Sequence, residues 1–179
     1  VASSGSAALA DSSDLLATSR TAIGTFSTEF STSLSDGETL LNNVYTSASL
    51  KLGTFETKAT QINTAIGDSI SSASSLNKKN AEILEKLAAL QQQIGSDSSL
   101  SGIISEKIAE LQAQNDSLQE LIDSLGNSNS SIGNALTTAS NTRSSLETLT
   151  AKNRQSLQNY RSSLNQSLLP QLNQSLDGL

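Results

Sequence analysis

The chain has 179 residues, of which 35% are hydrophobic and 3% aromatic, and it contains no Cys, Met, Trp or His. So few large apolar side chains argue against a thick globular core, and the absence of His and Cys removes the commonest general acid–base residue and the usual metal ligands. The formal net charge of -6 and the scattered Lys and Arg residues argue against a nucleic-acid partner, because a phosphate backbone is bound by a concentrated basic surface.

Sites for chemistry are also missing from the sequence pattern. The glycines stand singly within helical patterns and form no phosphate-binding loop. The carboxylate pairs Asp11 with Asp14 and Glu106 with Glu110 have helical spacing, but both fall where a solvated helix face is expected. We therefore predict no catalytic residue, no cofactor, no metal ion and no enzymatic activity.

The first predicted element covers residues 1–37. Its helical stripe consists of Leu9, Leu16, Ile23, Phe26, Phe30 and Leu34. The stripe ends at Ser35-Asp36-Gly37, where Gly37 can break or kink a helix. Two alternatives stay open: either residues 5–35 fold back as a third helix, or the first helix continues through Gly37 into the next segment.

A long helix is predicted from about Glu38 to Ile94, because apolar positions there alternate in steps of four and three, as in a coiled-coil seam. The predicted seam comprises Leu41, Tyr45, Ala48, Leu52, Phe55, Ala59, Ile62, Ile66, Ser69, Ala73, Leu76, Asn80, Ile83, Leu87, Leu90 and Ile94. A pattern of this length indicates an elongated element rather than a compact one.

A turn is predicted at residues 95–102. A Gly follows the end of the first seam at a helix C-cap position, and small polar residues able to cap a second helix come next. As the part of the hairpin furthest from its open end, this turn is the candidate tip for contact with a partner. The predicted tip consists of Gly95, Ser96, Asp97, Ser98, Ser99 and Gly102.

The second seam keeps the heptad register from Ile104 to Leu164. Its members are Ile104, Ile108, Leu111, Asn115, Leu118, Ile122, Leu125, Asn129, Ile132, Leu136, Ala139, Arg143, Leu146, Thr150, Asn153, Leu157, Tyr160 and Leu164. Several seam positions in both helices are polar or small, namely Ser69, Ala73, Asn80, Asn115, Asn129 and Asn153. They predict modest stability, and the Asn residues act either as a register device or as part of a conformational or binding function.

A short connection between two long helices makes them antiparallel neighbours. The predicted fold is therefore all-α, an elongated antiparallel coiled-coil hairpin over residues 38–169, with helices of roughly 65 residues that are about 100 Å long at 1.5 Å per residue. Folding about the turn brings Leu87 near Leu111, Ile66 near Ile132 and Gly37 near Tyr160.

The C-terminal tail, residues 170–179, begins at Pro170. Pro removes an amide donor and clashes with the preceding helical turn, so the helix is predicted to stop or kink there. The pentad Leu-Asn-Gln-Ser-Leu at 164–168 recurs at 172–176, which favours a short helical turn after the Pro.

The chain is also predicted to be a segment of a longer protein. It has no Met, its first residues have no secretory leader pattern, and no window approaches the ~18 to 20 apolar residues of a membrane span. The parent chain is accordingly expected to be anchored outside this segment.

Spaced Leu, Ser, Gly and Asn in a long Cys-free helical region, closing on Tyr160-Arg-Ser-Ser-Leu-Asn-Gln-Ser-Leu-Leu-Pro-Gln-Leu, resemble the extracellular region of the YhgE/Pip family of phage infection proteins. The resemblance covers the C-terminal part of the chain loosely. It implies a multi-pass membrane protein of Gram-positive bacteria with a large external helical region, serving in some members as a phage receptor and in relatives within type VII secretion. It implies a phage tail protein or another cell-envelope component as partner, and no site residue can be carried over.

Two other classes stay open. One is an exported structural helical protein, either flagellin-like or a type VII substrate, although the Trp-x-Gly signature of small type VII substrates is absent. The other is a signalling coiled coil, whose tips are usually rich in Glu and Ala, whereas this tip is rich in Gly, Ser and Asp. Self-association is compatible with each of these classes.

Overall fold

The computed structural model describes residues 2–95 and 99–178, and every one of these except Gly95 and Gly178 is helical. The elements in chain order are α1 (Ala2–Ile94), α2 (Ser99–Ser163), a π-helical segment (Leu164–Leu168) and α3 (Leu169–Asp177). Helices α1 and α2 pack against each other. The predicted all-α helical hairpin is confirmed.

Helix α1 continues through Gly37 without a break. Of the two alternatives for the N-terminal residues, the structure therefore has the continuous helix and no separate third helix before Glu38. A single interior Gly costs a helix about 1 kcal/mol relative to Ala. Gly37 lies close to α2, because a Cβ built on it would be 3.7 Å from Leu157 Cδ2. Packing at this point offsets part of the cost of the Gly.

The connection between the helices is shorter than predicted. Helix α1 ends at Ile94, and Gly95 has a φ of 73°, a left-handed conformation that Gly adopts without a Cβ penalty. Helix α2 begins at Ser99, so Ser99 and Gly102 are helical rather than part of a turn. Small polar residues suit the first turn of a helix as well as a turn, and the helix that begins at Ser99 carries Ile104 into the seam, where it is buried.

The chain divides into two compact units. The terminal unit contains Val1–Lys51 and Thr142–Leu179, and the turn unit contains Leu52–Asn141. Each unit combines a part of α1 with a part of α2, and each has its own buried residues.

In the terminal unit the buried residues include Leu34 on α1 and Leu164 in the π-helical segment. Three polar contacts join the two chain segments: Glu38 with Arg161 at 3.1 Å, Asn42 with Arg154 at 3.1 Å, and Arg20 with Asp177 at 2.7 Å. As residue numbers rise along α1, those of the partners fall from Arg161 to Arg154. This order is that of antiparallel neighbours in the predicted register.

In the turn unit four of the five buried residues that the structure describes are small or polar, namely Ala59, Ala73, Ala139 and Asn80 at 6% to 8% exposure, and the fifth is Ile104 at 7%. Small side chains let two helix backbones approach closely, at the expense of buried apolar area. Near the turn, Gln91 Nε2 donates a hydrogen bond of 2.6 Å to Ser105 Oγ. The cross-helix register of this unit is therefore also antiparallel.

The observed seam of α2 follows the prediction closely, except that Asn153 and Tyr160 are exposed. The seam of α1 in the turn unit follows it only at alternate positions. The positions that agree form the shared column, Leu52, Ala59, Ile66, Ala73, Asn80, Leu87 and Ile94. The positions predicted between them lie on the surface instead, and their places in the seam are taken by Asn63, Ile70, Asn77, Leu84 and Gln91.

The surface positions form a second column, called here the outward stripe: Phe55, Ile62, Ser69, Leu76, Ile83 and Leu90. Helix α1 thus has candidate seam residues on both sides of its shared column. Pairing with a single helix can cover only one of these two sides, because a two-helix seam uses two columns of each helix. The structure covers the more polar side.

The helix changes character ahead of Pro170. α2 ends at Ser163, and the amide of Leu169 donates to the carbonyl of Leu164, five residues earlier, as in a π-helix. Pro170 then occupies the first turn of α3, where a missing amide is tolerated. The change to π-helical hydrogen bonding comes directly before the Pro, and the chain resumes a helix after Pro170 rather than ending it.

The many hydroxyl side chains are accommodated by bonding within the helices. Ser and Thr hydroxyls repeatedly donate to the carbonyl four residues earlier, for example Thr57 to Gly53 at 2.9 Å, Ser69 to Ala65 at 2.9 Å and Ser130 to Gly126 at 3.0 Å. Each such bond satisfies a hydroxyl without a partner on another helix.

Candidate functional site

The predicted tip is partly described by the structure. Gly95 is exposed after the end of α1, Ser99 is the first residue of α2, and Gly102 is exposed on the first turns of α2. A Cβ built on Gly102 would meet nothing within 4 Å, so this position is open. Ser96, Asp97 and Ser98 lie outside the described residues.

Two apolar side chains stand next to the predicted tip. Leu100 is 55% exposed and Ile103 is 54% exposed, whereas the adjacent Ile104 is buried in the seam. Neither Leu100 nor Ile103 was predicted to be part of the tip. The sequence pattern could have identified them, because both are large apolar residues that lie off the seam of α2. Together with Gly95, Ser99 and Gly102 they form what we call the extended tip.

Hydrogen bonds hold the helix ends at the extended tip. Gln91 on α1 donates to Ser105 on α2, and the Ser105 hydroxyl donates at 3.0 Å to the carbonyl of Ser101. The first turn of α2, which carries Leu100 and Ile103, is therefore tied to the last turn of α1. A tied helix end presents these side chains with little loss of conformational freedom on binding.

One ion pair on α2 lies near the extended tip. Lys107 Nζ and Glu110 Oε2 are 2.7 Å apart. The hydrogen bond from Lys107 to Glu110 and the charge of that carboxylate raise the pKa of Lys107 above its ordinary value, with a smaller contribution from Glu106. Lys107 therefore remains protonated at neutral pH.

The outer surface of α2 in the turn unit is acidic. Five exposed carboxylates stand there against the single cation Lys107, and they are Glu106, Glu110, Asp116, Glu120 and Asp123. They are spread along the helix, and within residues 2–95 and 99–178 no group of three or more carboxylates could hold a metal ion. The surface provides negative charge along a line rather than a coordination site.

A groove crosses the turn unit where the outward stripe approaches α2. It is lined by Leu76, Asn80, Ala113, Gln114, Ser117 and Leu118. The groove shows that the outward stripe and one edge of α2 belong to the same face of the hairpin. The five apolar members of the stripe are between 42% and 53% exposed.

A second groove lies in the terminal unit. It is lined by Gly37, Leu40, Leu41, Val44, Asn153, Ser156, Leu157 and Tyr160. Tyr160 was predicted as a seam residue, but it is 59% exposed and lines this groove instead. Tyr45 keeps its predicted seam position, and the Arg154 guanidinium lies 5.7 Å from its ring centroid, a contact that the sequence analysis missed.

Three Asn residues near the seam of the turn unit have buried oxygen atoms. The Oδ1 atoms of Asn63, Asn115 and Asn129 have no hydrogen-bond partner among the described residues. A buried amide oxygen without a partner costs about 1–3 kcal/mol. Asn115 and Asn129 were predicted as polar seam members, and Asn63 was not.

The residues collected at these surfaces can recognise a partner by contact. They include apolar side chains, carboxylates, Lys and many Ser, Thr and Asn groups, with neither His nor Cys in the chain. Nucleophilic catalysis would require a hydroxyl activated by an adjacent base. The Ser105 hydroxyl, near the tip, donates to the carbonyl of Ser101 and accepts from the side-chain amide of Gln91.

The comparisons with known proteins found no relative. No family model matches the chain, and neither a curated protein nor a solved structure does. The resemblance to the YhgE/Pip family stays a prediction. None of the described helices has an apolar stretch long enough to cross a membrane.

Proposed function

We propose that this chain is a helical spacer and interaction segment on the extracellular face of a Gram-positive bacterial membrane, without enzymatic activity, within a larger membrane-anchored protein. The observation that carries the proposal is the pairing of two long continuous helices, of 93 and 65 residues, around a short turn. A segment inserted into a membrane protein as a hairpin enters and leaves on the same side, so its turn is free to meet a partner.

The distribution of residues between the units fits this role. Both ends of the chain belong to the terminal unit, and the turn belongs to the turn unit. We therefore assign the attachment side to the terminal unit and the partner contact to the extended tip. The partner class, a phage tail protein or a component of the cell envelope or of a secretion system, comes from the resemblance to the YhgE/Pip family.

The location can be tested by thiol labelling on living cells. Because the chain has no Cys, Ser124→Cys introduces a single thiol at an exposed position of α2. The protein that carries this chain, with and without the substitution, is treated with a membrane-impermeant maleimide. We expect labelling of intact cells that depends on the substitution. Labelling that appears only after the cells are broken open would contradict an extracellular location.

The partner contact can be tested by competition. The purified chain is expected to reduce the adsorption of phages that require the protein carrying it. Leu100→Glu combined with Ile103→Glu should abolish the effect, because both side chains are exposed beside the tip. Leu149→Glu, at a 57% exposed position of the terminal unit, is the matched control and should compete normally. A phage panel indifferent to both the chain and the deletion of its parent would count against a receptor role.

A further inference from the structure

The outward stripe repeats with the period of a coiled-coil seam. Its members are spaced by seven residues over Phe55, Ile62, Ser69, Leu76, Ile83 and Leu90. An exact seven-residue repeat keeps a line of side chains facing one partner helix that winds around it. Scattered exposed apolar residues, which are normal on a protein surface, do not show such a repeat. The repeat indicates that a helix packs on this side of α1.

The one polar member of the outward stripe is compatible with burial. The hydroxyl of Ser69 donates at 2.9 Å to the carbonyl of Ala65 within the same helix. Covering Ser69 with another helix would therefore leave no unsatisfied donor at this position. The stripe can be buried along its whole length without the loss of a hydrogen bond.

The solvent side of the outward stripe is basic. Three residues after Phe55, Leu76 and Ile83, the exposed side chains Lys58, Lys79 and Lys86 form a parallel column, interrupted only by small residues at 65 and 72. One column further from the stripe stand two exposed acidic residues, Asp68 and Glu82. A helix lying on the stripe would gain from carboxylates on the side that meets these lysines.

The same chain provides such a helix. The edge of α2 that shares the face with the stripe carries the exposed Lys107 and Leu121, and Glu106, Glu110 and Glu120 stand on its solvent side. The column next to the stripe on α1 is therefore basic, and the solvent side of the α2 edge is acidic, with Lys107 as the one cation of that edge. Two copies can stack face to face about a two-fold axis parallel to the helices, which brings α1 of one copy onto α2 of the other. The basic flank of α1 then faces the acidic flank of α2 at two places, once for each copy.

The hairpin's own register makes the match specific. Within one chain Gln91 is level with Ser105, so in the stacked arrangement Lys86 of one copy comes level with Glu110 of the second. Lys79 comes within about one helical turn of Glu120 by the same count. The alternative two-fold axis, perpendicular to the helices, would place α1 on α1 and bring the basic columns together.

We propose that the outward stripe of the turn unit is the interface with α2 of a second copy of this chain, and that two hairpins pair there as a four-helix bundle. The inference rests on the described residues of the turn unit and not on the cellular location of the protein. Its failure would leave the proposed spacer function untouched, and failure of the labelling test would leave this inference untouched.

The experiment begins with sedimentation equilibrium of the full chain over a wide concentration range. We expect a dimer that dissociates on dilution. Leu76→Glu with Ile83→Glu should weaken the association at least about tenfold, since charges would be buried in the stripe. Leu149→Glu, outside the stripe, should leave it unchanged, and circular dichroism checks that each variant remains helical. A chain that remains a monomer at all concentrations would overturn the proposal. So would a dimer whose dissociation constant is unchanged by Leu76→Glu with Ile83→Glu.

The choice of α2 as the opposing helix has its own test. The photo-cross-linking residue p-benzoylphenylalanine is placed at position 83 instead of Ile83, and the folded protein is irradiated. We expect covalent dimers. After trypsin digestion, the peptide of the second copy that carries the cross-link should be 108–143. Lys79→Glu with Lys86→Glu should weaken dimerisation, whereas Lys152→Glu should not. Cross-links confined to α1 of the second copy, or a dimer indifferent to the two lysine substitutions, would overturn the assignment of α2.

Discussion

Arg154 on α2 connects to two residues of α1 at once. Its Nε donates a hydrogen bond of 3.1 Å to Asn42 Oδ1, and its guanidinium lies 5.7 Å from the centroid of the Tyr45 ring. Asn42 and Tyr45 are three residues apart and so lie on one face of α1. Arg154 thus connects the two helices of the terminal unit through a polar and an aromatic contact.

Arg154→Ala is expected to destabilise the terminal unit by about 0.5–1.5 kcal/mol, because a hydrogen bond and a cation–π contact at an exposed site are lost together. Urea unfolding followed by circular dichroism measures the change. Lys152→Ala, two residues earlier on the same helix and also exposed, serves as the control and should have little effect. An equal loss in the free energy of unfolding for the two variants would show that the contacts of Arg154 do not stabilise the terminal unit.

Replacing a buried Asn of the turn unit should raise stability. Asn129→Leu removes an amide oxygen that is buried without a partner and adds apolar contact, so we expect a gain of about 1–2 kcal/mol in the free energy of unfolding. Asn127→Leu, at an exposed position of the same helix, should give no such gain. A loss of stability on Asn129→Leu would mean that the Asn makes a hydrogen bond in solution.

The raised pKa of Lys107 depends on Glu110 more than on Glu106. Glu110→Gln should therefore lower the pKa of Lys107, and Glu106→Gln should lower it less, as measured by NMR titration of the lysine side chain. A raised folded-state pKa stabilises the folded chain below the unfolded value, and this contribution is lost as the pH rises through the folded value. The exposed site makes this effect on stability small. Equal shifts for both variants would contradict the 2.7 Å pair.

Two leucines of the π-helical segment offer a matched comparison. Leu164 is 2% exposed and Leu168 is 42% exposed. Leu164→Ala should cost about 2–3 kcal/mol, because it removes buried methyl groups and leaves a cavity, whereas Leu168→Ala should cost clearly less. Thermal unfolding of the two variants measures the difference. A similar cost for both would mean that Leu164 is not packed between the helices in solution.

The sequence was sufficient to predict the helical hairpin, because the second seam has large apolar residues at most positions from Ile104 to Leu146 and the Gly at 95 marks the helix end. It was not sufficient for the side of α1 that pairs with α2. Ile62 and Leu76 are more apolar than Asn63 and Asn77, so the pattern favoured a column that the structure leaves exposed. Burial in a single hairpin cannot be predicted from hydrophobicity when a helix has two candidate seams.

The helix end at Gly95 is as predicted, but Ser99 and Gly102, which were predicted to lie in the turn, are helical. Small polar residues are equally suited to a turn and to the first turn of a helix, where Ser is a common cap. Leu100 and Ile103 were not predicted as part of the tip, because a turn is indicated by its polar residues and these two side chains lie off the seam.

Cysteine cross-linking can test the antiparallel pairing of α1 and α2 without interference, because the chain has no Cys of its own. Chains carrying Gln91→Cys with Ser105→Cys, or Glu38→Cys with Arg161→Cys, are treated with a short bismaleimide and separated by mass. We predict efficient cross-links within single chains for both pairs, and none for Gln91→Cys with Ser124→Cys. Absence of the two matched cross-links, or an equal yield from the mismatched pair, would contradict the hairpin.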